Sequence, residues 1–168
     1  MPNEEFLAIA DDYMARILRP DYDEFFAGPA TLRSAVHLAN SLYHMHEWMH
    51  DSYKSELEAH FSKSLPAPSS LWAEVEVANP LFGHIRDLAN ASKHVRLTRK
   101  PSTTATHVAN TVLTVPKWDK AVWDKAKWDT PQVVTDSGGA NVYFDDVASQ
   151  LFTFWQTLLA LVSQLSGK

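Results

Sequence analysis

The chain has no cysteine. That removes disulfides, thiolate nucleophiles and cysteine metal ligands together. It also lacks an uncharged apolar run of the roughly 18 residues a membrane span needs. Its first residues, MPNEEFLAIADDYMARIL, are acidic and amphipathic, not a basic leader before an apolar core. Excess positive charge is missing too: the formal net charge is −5. The protein as a whole is therefore no electrostatic glove for nucleic acid, although a local basic patch is compatible with that total. A cytoplasmic protein with no membrane partner is the expectation. What remains is ordinary globular material, 168 residues with 45% hydrophobic and 21% charged, enough for one domain with a real core.

Glycine and proline are also absent from Ala30 to Leu65, and the longest helical signal lies there. Leu32, Val36, Ala39, Leu42, Tyr43, Met49, Tyr53 and Leu57 recur at the three-and-four spacing of a helix with one buried stripe. At 100° per residue His46 and His50 fall inside that stripe, with Glu47 at its edge. His37, His44 and Trp48 share nearly the opposite side, a face suited to another helix, a protein partner or a second subunit.

Before this helix, Asn3 can cap a first one whose buried face is Phe6, Ile9, Ala10, Tyr13, Ile17 and Leu18. Pro20 is expected to end it, leaving Phe25 and Phe26 on a short loop to plug the core. After it, SKSLPAPSS is a Pro/Ser linker, and Ser69 or Ser70 opens a short helix through Leu71, Trp72, Val75 and Val77. Leu81 to Leu97 forms the next helix, with Leu81, Ile85, Leu88, Ser92 and Val95 inward. The apolar period then changes from 3.6 to about 2. Thr103 to Val115 reads as a strand, and Asp136-Ser137-Gly138-Gly139 marks a hairpin. Asp145 or Asp146 caps a very apolar final helix. The predicted fold is mainly α: a single domain over 1–168, a bundle of four to five helices, with a small antiparallel β-sheet or hairpin inserted before the C-terminal helix, in a β-rich insertion over 98–144.

Three features carry chemistry. His46-Glu47-Trp48-Met49-His50 matches H-E-x-x-H, whose two imidazoles stack on one helix face to hold zinc while the Glu acts as base. A third ligand is not nearby in sequence, so His84, His94 or Asp145 would have to complete a site; the alternative expectation is a pair of core or interface histidines bonded to carbonyls or to Tyr and Asp partners and needing no cofactor. Second, Trp118, Trp123 and Trp128 stand five apart, each followed by Asp. They suit stacking on bases or sugars, or packing back on the sheet.

The third feature is a polar ladder. Arg86, Asn90 and His94 recur every four residues opposite the apolar face of their helix, flanked by Asp87 and Lys93. The RDLANASKH run, preceded by a long helix reading SLYHMHEW, resembles the HEPN type of small bacterial helical protein. That resemblance implies a helical bundle, a homodimer whose cleft forms between subunits, and in many members ribonuclease activity without metal, in defence or toxin systems. It maps Arg86 to the family's Arg, Asp87 to its polar residue and His94 to its His, with seven residues between Arg86 and His94. The chemistry fits these types. Cleavage by a 2′-hydroxyl needs a group titrating near neutrality, which His94 supplies. It also needs a cation on the non-bridging phosphate oxygens, which suits the guanidinium fork of Arg86. Asn90 orients phosphate or imidazole, and Lys93 and Asp87 contact substrate. Because the ladder faces away from the helix's own core, truncating Arg86 is expected to leave the fold intact. Competing classes are a non-catalytic interaction module and a zinc hydrolase.

Overall fold

The computed structural model describes residues 8–93, 111–114, 132–137 and 140–166; for Lys93, for the first two strands and for Ala140 and Asn141 it describes the backbone alone. The chain is mainly helical. Asp12 Oδ2 accepts from the backbone N–H groups of Ala8 and Ile9 and so closes the start of α1 (Ala10–Tyr13). The residues that Asn3 and Phe6 would contribute to this helix lie outside the described residues.

Pro20 does not end the first helix. A π-helical turn, Met14–Leu18, leads directly into α2, Arg19–Ala27. Proline has no N–H and its ring collides with the carbonyl four residues back. Widening the preceding turn relieves both: Arg19 N–H reaches back five residues to the Met14 carbonyl, and Pro20 sits in the first turn of α2, where its missing donor costs nothing. Phe25 and Phe26 are therefore helical. Phe25 is buried edge-on to Phe144, and Phe26 stays half-exposed against Tyr22.

Thr31 and Ser34 cap each other at the start of α3, Leu32–Phe61, each accepting the other's backbone N–H. Tyr53 leaves helical dihedrals (φ −138°, ψ 32°), so the helix is not regular throughout. Ser62 ends it in the left-handed conformation. The linker then folds back along α3, because Leu65 is held at both backbone groups: its N–H donates to Glu58 at 2.8 Å and its carbonyl accepts from His50 Nε2 at 2.8 Å. Helix α4 is Pro68–Ala78 and a 3-10 turn is Pro80–Phe82. Helix α5, Gly83–Lys93, thus starts later than its periodicity suggests, and Leu81 lies half in solvent while Phe82 is buried.

Short strands β1 (Thr111–Thr114), β2 (Gln132–Ser137) and β3 (Ala140–Tyr143) pair antiparallel in that order, with Val112 opposite Val134 and Thr135 opposite Val142. Gly138 and Gly139, the expected turn, and the three spaced tryptophans lie outside the described residues. Helix α6, Phe144–Ser166, closes the bundle.

Helix α3 is the hub, packing against α1, α2, α4, α5 and α6. Its buried residues include Leu38, Leu42, Met45, Met49 and Leu57, all fully enclosed. Trp155 of α6 is also fully enclosed, and its indole N–H donates to the Leu42 carbonyl at 2.9 Å. Trp48 is not a free surface. It stacks on Tyr13 at 5.2 Å, and the Tyr13 hydroxyl, pushed up to about 12 by burial, donates to the Ser41 carbonyl. No helix among the described residues is long and apolar enough to cross a membrane.

Trp155→Ala removes both the largest enclosed side chain and a bond between α6 and α3. A loss of about 3–5 kcal/mol is expected, seen as a much lower urea midpoint with the slope unchanged.

Candidate functional site

Three helices meet around Arg86. On α5, its Nε and Nη2 donate to Asp87 Oδ1 at 3.2 and 3.1 Å, and its Nη1 lies 2.7 Å from Glu76 Oε1 of α4. Glu76 Oε1 also accepts from the Trp72 indole N–H at 2.7 Å, an i, i+4 pair along α4. The Trp72 ring meets Tyr43 of α3 edge-on, 4.9 Å between centroids. Burial raises the Tyr43 pKa, against the pull of Arg86. Contacts thus run from Tyr43 to Trp72 to Glu76 to Arg86 and Asp87. Glu76 and Asp87 fix the guanidinium from two sides. A guanidinium has five N–H bonds, and these partners leave one open on each terminal nitrogen.

The ladder is less exposed than its periodicity suggests. Asp87, expected on a solvated flank, is 2% exposed, while Arg86 and Asn90 are half-buried. Helix α5 is short and wedged among neighbours, so even the side opposite its Ile85–Ala89 stripe is covered. Arg86 therefore belongs to the fold as well as to any site. Truncating it would take the guanidinium away from a buried carboxylate, against the expectation that the fold would not notice. His94 and the Lys93 side chain lie outside the described residues; Lys93 is the last residue of α5.

The histidines of α3 are tied down separately. His46 is buried between Tyr43 and Trp72, with ring centroids at 4.7 and 5.5 Å. Its Nδ1–H donates to the Tyr43 carbonyl, and burial lowers its pKa. His50 spends Nε2–H on the Leu65 carbonyl. A metal would have only His46 Nε2 and His50 Nδ1 to use, while Glu47, on the outer side, faces His44 Nδ1 at 3.2 Å. Among the described residues no three His, Asp or Glu side chains converge as a ligand set. His37 is exposed and His44 half-buried.

Sequence inspection missed Tyr43, Trp72 and Glu76 as members of this region and named His84 only as a possible zinc ligand. Trp72 and Glu76 carried a usable signal in their i, i+4 spacing. Tyr43 was hidden inside an apolar stripe. His84 opens α5, is 6% exposed, and its Nδ1 has no hydrogen-bond partner. Burial lowers its pKa, against the pull of Asp87. No protein-family model matches the chain, and neither does any curated protein or solved structure.

Two outcomes follow. Arg86→Ala should cost about 2–4 kcal/mol by removing the guanidinium that Asp87 and Glu76 share, lowering the melting temperature by roughly 5–15 °C; Arg86→Lys should recover part of it. His46 and His84 are neutral in the fold below 6.5, the ordinary histidine value, so only the unfolded chain takes up their protons there. Stability is thus full above pH 6.5 and falls as pH drops from 6.5 through the lower folded-state values. Urea titrations from pH 8 to 5 should show a shallower fall for His84→Gln. An unchanged slope would mean that His84 does not titrate differently on folding.

Proposed function

We propose that this chain is a HEPN-like cytoplasmic protein that binds and cleaves RNA without metal, as a homodimer, in a defence or toxin setting. In this proposal a β-rich insertion over 98–144, hairpin included, sits within one helical domain spanning 1–168. The observation that carries the functional part is the cluster around Arg86. An arginine clamped by Glu76 and Asp87 cannot swing away, yet these two partners leave one N–H on each terminal nitrogen. A fixed donor of that kind stabilises charge developing on a phosphate without reorganising. His94, four residues past Asn90 in sequence, moves the proton. The 2′-oxygen attacks phosphorus, the bond to the 5′-oxygen breaks, and the products are a 2′,3′-cyclic phosphate and a 5′-hydroxyl.

Charge sets the mode of binding. The cluster holds one cation against Glu76 and Asp87, so it cannot track a nucleic-acid backbone and contacts one phosphate. Affinity should then depend weakly on salt, with a log–log slope of about −0.7, since each neutralised phosphate on a single strand contributes about that much.

A second reading, a non-catalytic interaction module, is favoured by one surface. Val77 and Leu81 stand 74% and 41% exposed near an open groove of about 480 Å³ between the end of α4 and α6, lined by Phe82, Phe154, Thr153 and Thr157 among uncharged residues. The wall hydroxyls of Thr153 and Thr157 already donate to carbonyls of α6. This surface suits an apolar partner better than the expected His37, His44 and Trp48 face, whose Trp is occupied by Tyr13.

Cleavage of single-stranded and structured RNA in the presence of chelator decides between the two. Wild type should cut, and His94→Ala should abolish cutting while RNA binding persists. Wild-type protein that neither cuts nor retains RNA would leave the interaction module.

A further inference from the structure

Val77 and Leu81 hold much of their apolar surface in water. They belong to one short stretch: Val77 is in the last turn of α4, and Leu81 lies in the 3-10 turn that follows. The same stretch forms one wall of the open groove against α6. Phe82 is buried there and Phe154 half-buried, with ring centroids 5.7 Å apart. The polar part of the wall is largely spent inside the chain. The Asn79 amide donates to Gln150 Oε1 at 3.0 Å, and Asn79 Oδ1 accepts the Leu81 N–H at 3.0 Å. Thr153 and Thr157 donate to carbonyls of α6. Among the described residues that line the groove, none is titratable. A phosphate, a sugar or a charged peptide finds few partners on such a wall, whereas apolar side chains lose nothing by entering it.

We infer that this face binds a second copy of the chain, in a two-fold contact where Val77 and Leu81 of each copy enter the groove of the other. Two features select a second copy over an unrelated partner. A two-fold interface uses one patch on both subunits, so projection and recess must stand side by side. They do so here, since Leu81 falls between the lining residues Asn79 and Phe82. An unrelated partner would need only the recess. Charge is the second feature. With a net charge of −5, two copies repel wherever acidic faces meet. A groove without titratable side chains escapes that repulsion, and the cores of subunit contacts are depleted in charge for this reason. The inference rests on the homodimer of the proposed function and gives it a face; RNA plays no part in it.

Sedimentation velocity of the full-length protein from about 1 to about 100 µM tests this, a range chosen for a contact of modest affinity. Wild type should pass from monomer to dimer across it. Val77→Asp alters the projection and Thr153→Arg the recess. Both positions are exposed, so melting temperatures should match wild type. Each variant alone should associate about tenfold or more weakly, because it places a charge in an apolar contact. An equimolar mixture of the two should recover association, since one projection–recess pair is then intact and the other brings opposite charges together. Variants that each dimerise like wild type would overturn this face and leave the homodimer standing. A mixture that stays monomeric would overturn the two-fold arrangement. Wild type that is monomeric throughout would overturn both the face and the homodimer; if it then binds the neutral dye Nile red, and Thr153→Arg does not, the groove belongs to a different apolar partner.

Discussion

Helix α3 has neighbours on most of its sides, so its 30 residues cannot hide behind one apolar stripe. Any helix surrounded in this way must bury polar groups, and each must find a partner or lose the free energy of its hydration. That constraint explains much of the side-chain bonding in the protein. Ser41 donates to Asp21, His46 to a carbonyl one turn back, Tyr53 to Asp11, and His50 to the folded-back linker. Trp155 uses the spare lone pair of a carbonyl inside α3. These bonds are directional, so they set how each neighbouring helix is rotated about α3, which the non-directional burial of leucines cannot do alone.

The same constraint produces the Arg86 cluster. Helix α4 packs on α3, and Trp72 must bury its indole while satisfying its N–H. Glu76, one turn further, accepts that N–H and then needs a cation. Arg86 is that cation, and Asp87 balances it from the other side. A chain of local requirements thus leaves a guanidinium held rigidly and half in water. Under the proposed function, stability and chemistry draw on the same side chain. Loss of activity in an Arg86→Ala protein would not separate the two roles, whereas His94 substitutions can.

Histidine chemistry divides in a similar way. His46 and His50 satisfy the H-E-x-x-H pattern because i and i+4 positions share a helix face, but sharing a face is also what places both against the core. Each has one ring nitrogen on a backbone carbonyl. His84 is the contrary case: a buried ring with one nitrogen unsatisfied is costly, and burial keeps it neutral.

From the sequence alone, the helical character, the extent of α3 to within a few residues, the short α4 and the apolar α6 were legible, because each rests on local periodicity, caps and breakers. Arg86, Asn90 and Asp87 were also legible as a polar group at helical spacing. Local rules failed where the answer lay in a neighbour. Pro20 reads as a stop unless the turn before it can widen, and that depends on how the first helix packs on α3. Asp87 reads as solvated until α5 is enclosed from several sides. Glu76 and, behind it, Trp72 and Tyr43 could not be assigned to Arg86, since they come from other helices and line up with it only once three helices have docked. Periodicity tells which residues share a face of one helix; only tertiary packing decides what that face meets.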